Sequence, residues 1–196
     1  MGNKCRKMLI VVDMIQGFVN EGALADSGIS AIIPENLRLV QSFLKAEADV
    51  VFFKDCHSEN APEFDSFPSH CVKGTAQPEL VEELKIYEDR CNVFEKNSTN
   101  GFFAPGFCEY LENYEPEEVI IVGCCTDICV MNLAIAMKNY FNQENRRVAV
   151  IVPANAVETF HIPEVHERNW WNEAAFAFMK QAGVRVADSY PGSEAI

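Results

Sequence analysis

Short runs of apolar residues recur along the chain, each closed by a turn or cap signal: Met8–Val12, Val50–Phe53, Asn92–Phe94, Val119–Val122, Val148–Val152 and Val184–Val186. They are too short and too uniformly apolar for half-exposed hairpin strands, which would alternate, and so predict strands buried on both faces. Helical periodicity fills the intervals. Leu37, Val40 and Leu44 recur at three and four after Pro34, a residue suited to a first helical turn. Leu80, Val81 and Leu84 after Pro78, and Phe107, Tyr110 and Leu111 after Pro105, predict two short helices. From Thr126 to about Phe141, Val130, Leu133, Ala134, Met137 and Phe141 share one face with Ile128, Met131 and Ile135 beside it. A helix apolar over so much of its circumference should be deeply buried. Pro163 to Ala182 predicts a last helix, with Trp171, Ala174, Ala175, Phe178 and Ala182 on its apolar face and a stop at Gly183.

Strand and helix thus alternate, which implies an α/β fold: a doubly wound, mostly parallel sheet of about six strands with helices on both faces. The length of 196 residues predicts a single domain spanning 1–196. His57 to Gln77 breaks the pattern, being polar and without periodicity. It follows the second strand directly, and in such sheets ligands bind outside the carboxyl ends of the strands.

Composition mainly excludes. A net charge of −13 argues against broad binding to nucleic acid or anionic membrane, whose phosphates reward cations. No apolar run approaches the ~18 residues of a membrane span. The basic start Met1–Lys7 meets too short an apolar stretch for a signal peptide before Asp13. Eight cysteines are too few for a disulfide scaffold, which suits reduced thiols and a cytoplasmic location.

Candidate chemistry sits at the strand ends. Asp13 closes the first strand, where poor solvation would raise its pKa and make it a base, or where it caps a turn. Lys96 ends the third strand, either as a solvated charge or as part of a site at the same rim. The fourth strand leads into Gly123-Cys124-Cys125-Thr126-Asp127-Ile128-Cys129-Val130. With Thr126 as N-cap, Cys129 falls in the first helical turn, where the macrodipole favours a thiolate below the free value of ~8.5. A buried, inert cysteine is the alternative. Asp55, His57, Glu63 and His70 offer oxygen and imidazole donors suited to zinc, iron or manganese.

Taken together these segments resemble the isochorismatase-like cysteine hydrolases, and within them the nicotinamidases. The resemblance rests on Asp13-Met14 with Phe18 after it, on Lys96, and on Gly123-x-x-Thr126-Asp127-x-Cys129-Val130, in that order. It implies a catalytic Cys129–Lys96–Asp13 triad and a cis peptide between Cys124 and Cys125. The backbone N–H groups of Cys125 and Cys129 would receive an oxyanion. Asp55-x-His57 followed by Phe67-Pro68-x-His70 is similar to the family's metal loop, spanning about 55–77. One divalent metal is implied, zinc first, with Glu63 as third protein ligand and Asp65 as its substitute. The implied substrate is a small amide, nicotinamide or the related pyrazinamide, its ring flanked by Phe18 and Phe67. The alternative within the same superfamily is a metal-independent hydrolase of an N-carbamoyl or ureido substrate. Short apolar helices such as that around Phe107 would suit a homo-oligomer contact.

Overall fold

The computed structural model describes residues 6–191. Each predicted strand forms: β1 (Lys7–Val12), β2 (Asp49–Asp55), β3 (Asn92–Lys96), β4 (Glu118–Cys124), β5 (Ala149–Pro153) and, after an additional short strand β6 (Val157–Glu158), β7 (Arg185–Ala187). All pair in parallel in the order β3-β2-β1-β4-β5-β7. β5 pairs with the start of β4, and β6 with its end at Gly123 and Cys124. The two-residue β6 is the strand that hydrophobic patterning does not reach.

Uniformly apolar strands follow from a sheet covered on both sides. Leu9 and Val11 of β1, Val50 and Phe52 of β2 and Ile120 and Val122 of β4 point into one core with α2 (Ile33–Lys45). Met8, Ile10, Val12, Val51, Phe53, Val119 and Ile121 point into the other, against α4 (Phe107–Tyr114), α5 (Met131–Gln143) and α6 (Arg168–Gln181). Two short helices, α1 (Gln16–Val19) and α3 (Glu82–Lys85), complete the first layer.

The last helix corrects its sequence expectation in two ways. It begins at Arg168 rather than Pro163, because Ile162 and His166 close a backbone bridge that occupies the preceding residues. Its buried side is Ala175, Phe176 and Met179, while Phe178 is 60% exposed. The expected face was rotated by roughly one residue, a shift that a helix rich in small and aromatic residues does not resolve.

Strand order reverses between β1 and β4, so the chain leaves these two neighbours in opposite directions and opens a crevice at their carboxyl ends. Gly123 makes the approach of these strands feasible. Its φ is +107°, and a Cβ there would lie 2.1 Å from the Val12 carbonyl oxygen.

Candidate active site

Four strand ends converge on the crevice. Asp13 follows β1 with φ 52°, a left-handed conformation that Asp tolerates better than most residues, and its N–H donates to the Phe53 carbonyl at 3.0 Å. Asp55 and Lys96 end β2 and β3 and lie opposite one another in register. Lys96 is wholly buried, its Nζ 2.8 Å from Asp13 Oδ2, 2.8 Å from Asp55 Oδ1 and 3.7 Å from Cys129 Sγ. Asp13 Oδ1 has no hydrogen-bond partner of ordinary geometry among the described residues.

Past β4 the peptide between Cys124 and Cys125 is cis. Cys125, not Thr126, then takes the N-cap position of a wide turn over Thr126–Val130. The N–H groups of Ile128 and Val130 both donate to the Cys125 carbonyl at 3.1 Å, which leaves the Cys129 N–H out of that pairing. This widened turn runs straight into α5 and points the Cys129 sulfur at Lys96.

Charge at this cluster is set by burial first. Burial lifts Asp13 to about 6, with Lys96 pulling down and Asp55 pushing up. Burial would depress Lys96, but Asp13, Cys129 and Asp55 together hold its pKa well above the usual lysine value. Burial also raises the Cys129 thiol well above its ordinary value, and the Asp13 and Asp55 charges add to that, with only Lys96 opposing. This corrects the sequence expectation of a depressed thiol. A helix end favours the thiolate, yet desolvation, with two buried carboxylates adding to it, outweighs that. Burial thus disfavours the charged form of both Asp13 and Cys129, and the Lys96 ammonium favours it at each.

Beside this cluster, Asp55, His57, Glu63 and His70 each offer one donor atom, all within 4.8 Å of one another. Asp55 Oδ2 lies 2.9 Å from His57 Nε2 and 3.1 Å from His70 Nε2, and Glu63 Oε1 lies 3.6 and 3.9 Å from the same nitrogens. Donors ~2 Å from a tetrahedral zinc stand about 3.3 Å apart, so the set fits a divalent cation. The remaining ring nitrogens are oriented from behind, His57 Nδ1 by Asn97 at 3.2 Å and His70 Nδ1 by the Pro68 carbonyl at 2.8 Å. Glu63 Oε2 accepts from the Thr99 N–H at 3.0 Å. Asp65 is exposed and lies outside this group, which Glu63 joins.

A cavity joins the two halves, with Cys125 and Cys129 on one side and Asp55, Glu63 and His70 on another. Phe18 and Phe67 line it, their rings 5.7 and 6.2 Å from that of His70. Leu24, Thr99, Ile128 and Phe160 line it too, and the sequence reading missed them. Ile128 was assigned only to a helix face, although adjacency to Cys129 was a usable signal. Phe160 follows the undetected β6, and Leu24 has no signal in the sequence. Among the described residues no Lys or Arg lines the cavity.

Comparison with known proteins matches the Isochorismatase domain to residues 7–190. Nicotinamidase 1 of Arabidopsis thaliana is 29% identical over 173 residues, 79% of this chain and 70% of that protein. The crystal structure of nicotinamidase PncA from Bacillus subtilis superposes with a TM-score of 0.77 at 29% identity, covering 93% of this chain and 99% of that one. A pyrazinamidase of Pyrococcus horikoshii in complex with zinc gives 0.73 at 26% identity, covering 93% and 98%.

Proposed function

The chain belongs to the isochorismatase family, and from that premise we propose that it hydrolyses nicotinamide to nicotinic acid and ammonia through a thioester on Cys129. The observation that carries this reading is a buried Asp13–Lys96–Cys129 cluster whose Cys129 lines the same cavity as Asp55, Glu63 and His70 of the four-donor imidazole and carboxylate group. The relatives that are nicotinamidases support the same substrate.

Asp55, His57, Glu63 and His70 would hold the cation, zinc first on these donors. When bound it supplies a Lewis acid that anchors and orients the pyridine ring. Phe18 and Phe67 flank that ring from the cavity wall. Asp13, ionised above about pH 6, takes the Cys129 proton as the sulfur attacks the amide carbon, and Lys96 balances the pair. The carbonyl oxygen becomes an oxyanion received by the N–H groups of Cys125 and Cys129, contacts of a kind worth ~3–4 kcal/mol. Asp13 then gives its proton to the amine, ammonia departs, and a thioester remains. A water attacks the thioester as Asp13 removes its proton, and that proton returns to sulfur as nicotinic acid leaves.

An N-carbamoyl amino acid would bring its own carboxylate into the cavity. Among the described residues the lining offers Asp55 and Glu63 but no Lys or Arg to meet that charge, which favours a neutral ring amide. The test is ammonia release from nicotinamide before and after chelation. Turnover that chelation removes and zinc restores supports the reading. Turnover of N-carbamoyl substrates alone, indifferent to chelator, overturns it.

A further inference from the structure

Behind the cavity wall lies a polar brace that the proposed hydrolysis does not use. Asp127 is two residues before Cys129 in the same wide turn. Its Oδ1 accepts from the Thr159 hydroxyl at 2.6 Å, and its Oδ2 lies 2.9 Å from His166 Nε2. The other His166 nitrogen, Nδ1, lies 3.0 Å from the Phe160 carbonyl oxygen. The imidazole is 8% exposed and sits between two rings, Phe160 at 3.8 Å and 17° and Trp171 at 4.8 Å and 2°. Its own backbone is pinned by paired hydrogen bonds with Ile162.

One flat group therefore touches both walls of the reaction space. Through Asp127 it reaches the turn that carries Cys129. Through the ring and carbonyl of Phe160 it reaches a residue lining the cavity. Two contacts in the plane of the imidazole fix its rotation, and the rings above and below fix its tilt. Few degrees of freedom are left by which the sulfur and the Phe160 wall could move apart.

We propose that His166 is a positioning residue that holds the Cys129 turn and the Phe160 wall at a fixed spacing. This rests on the reading of Cys129 as nucleophile. Loss of such spacing acts on the chemical step, because reacting atoms must be held in near-attack geometry. Ring binding, carried by Phe18, Phe67 and the cation donors, is left largely alone.

The test compares His166→Phe, which keeps a ring in the stack but neither polar contact, with His166→Gln, whose amide can still donate to Asp127. The expected result for His166→Phe is a kcat lower by roughly 10- to 100-fold with KM little changed, and partial recovery in His166→Gln. Thr159→Val, which removes only the hydroxyl bond to Asp127, should lower kcat less. A second arm needs no amide substrate: alkylation of Cys129 by iodoacetamide, followed by peptide mass, should slow by about tenfold in His166→Phe. Wild-type protein inert toward nicotinamide, with alkylation still slowed in the variant, would sink the substrate assignment and leave the brace standing. Folded His166→Phe with wild-type kcat and alkylation rate, or with only a lowered melting temperature, overturns the proposal. Should His166→Phe fail to fold, Thr159→Val with both rates unchanged overturns it equally.

Discussion

Replacing Asp13 by Asn separates what this carboxylate does for the reaction from what it does to the fold. Burial holds Asp13 at about 6 against an ordinary 3.8, even with the Lys96 ammonium 2.8 Å away. A fold that raises an acid's pKa binds its proton more tightly than the unfolded chain does. The contribution to stability is full below about pH 4 and is lost as the pH rises through about 6. A shift of about two units at ~1.4 kcal/mol each makes the ionised group cost about 3 kcal/mol at pH 7. Asn carries no charge, and Lys96 keeps its 2.8 Å partner Asp55, so the ammonium is not stranded. Metal-free Asp13→Asn should therefore be more stable than metal-free wild type by up to about 3 kcal/mol at pH 7. The gap should shrink toward zero near pH 4. Urea unfolding in chelator at pH 4, 5, 6 and 7 measures both quantities, while ammonia release should fall by roughly 10²–10⁴-fold. A variant less stable than wild type throughout, or a gap that widens as pH falls, would refute the reasoning: Asp13 would then be a stabilising partner of Lys96 and not a penalised base.

Cys129→Ala should abolish ammonia release with the far-ultraviolet spectrum and metal content unchanged, and substantial residual turnover would exclude a thioester at this sulfur. His70→Ala removes one of four converging donors and should lower metal affinity by at least about tenfold, read as metal retained after dialysis. The melting transition should survive in the same variant, since an orienting cation is not what builds the two cores. Gly123→Ala combines a +107° φ with a Cβ only 2.1 Å from the Val12 carbonyl oxygen and should cost at least about 3 kcal/mol. Soluble protein with wild-type unfolding would contradict the close approach of β1 to β4.

What could be read from sequence divides along physical lines. The main strands were legible because a sheet covered on both faces demands unbroken apolar runs, and β1 and β4 carry them. β6 was not, because two residues have no period. The rim residues Asp13, Asp55 and Lys96 were legible as charged groups ending apolar runs in a parallel sheet. Their effect on the sulfur was not. Whether Cys129 is activated at rest depends on its burial first, and then on one ammonium and two carboxylates at distances only the fold sets. Asp55 and His57 were readable as a pair from their spacing, whereas Glu63 stands out from Asp65 only in the Pro62–Asp65 turn, which leaves Glu63 partly buried beside the histidines and Asp65 exposed. Phe178 misled because an aromatic at helical spacing looks like core until the neighbouring elements are known.

Asp55 is spoken for on both of its oxygens, one by the Lys96 ammonium and the other by the two imidazoles. The proposed proton-handling cluster and the proposed cation site thus have a common wall, and neither can be redesigned as a separate module. Anyone retargeting the enzyme to a different metal should expect its acid–base behaviour to drift as well. Grafting the triad alone onto another scaffold would leave its lysine short of a counter-charge.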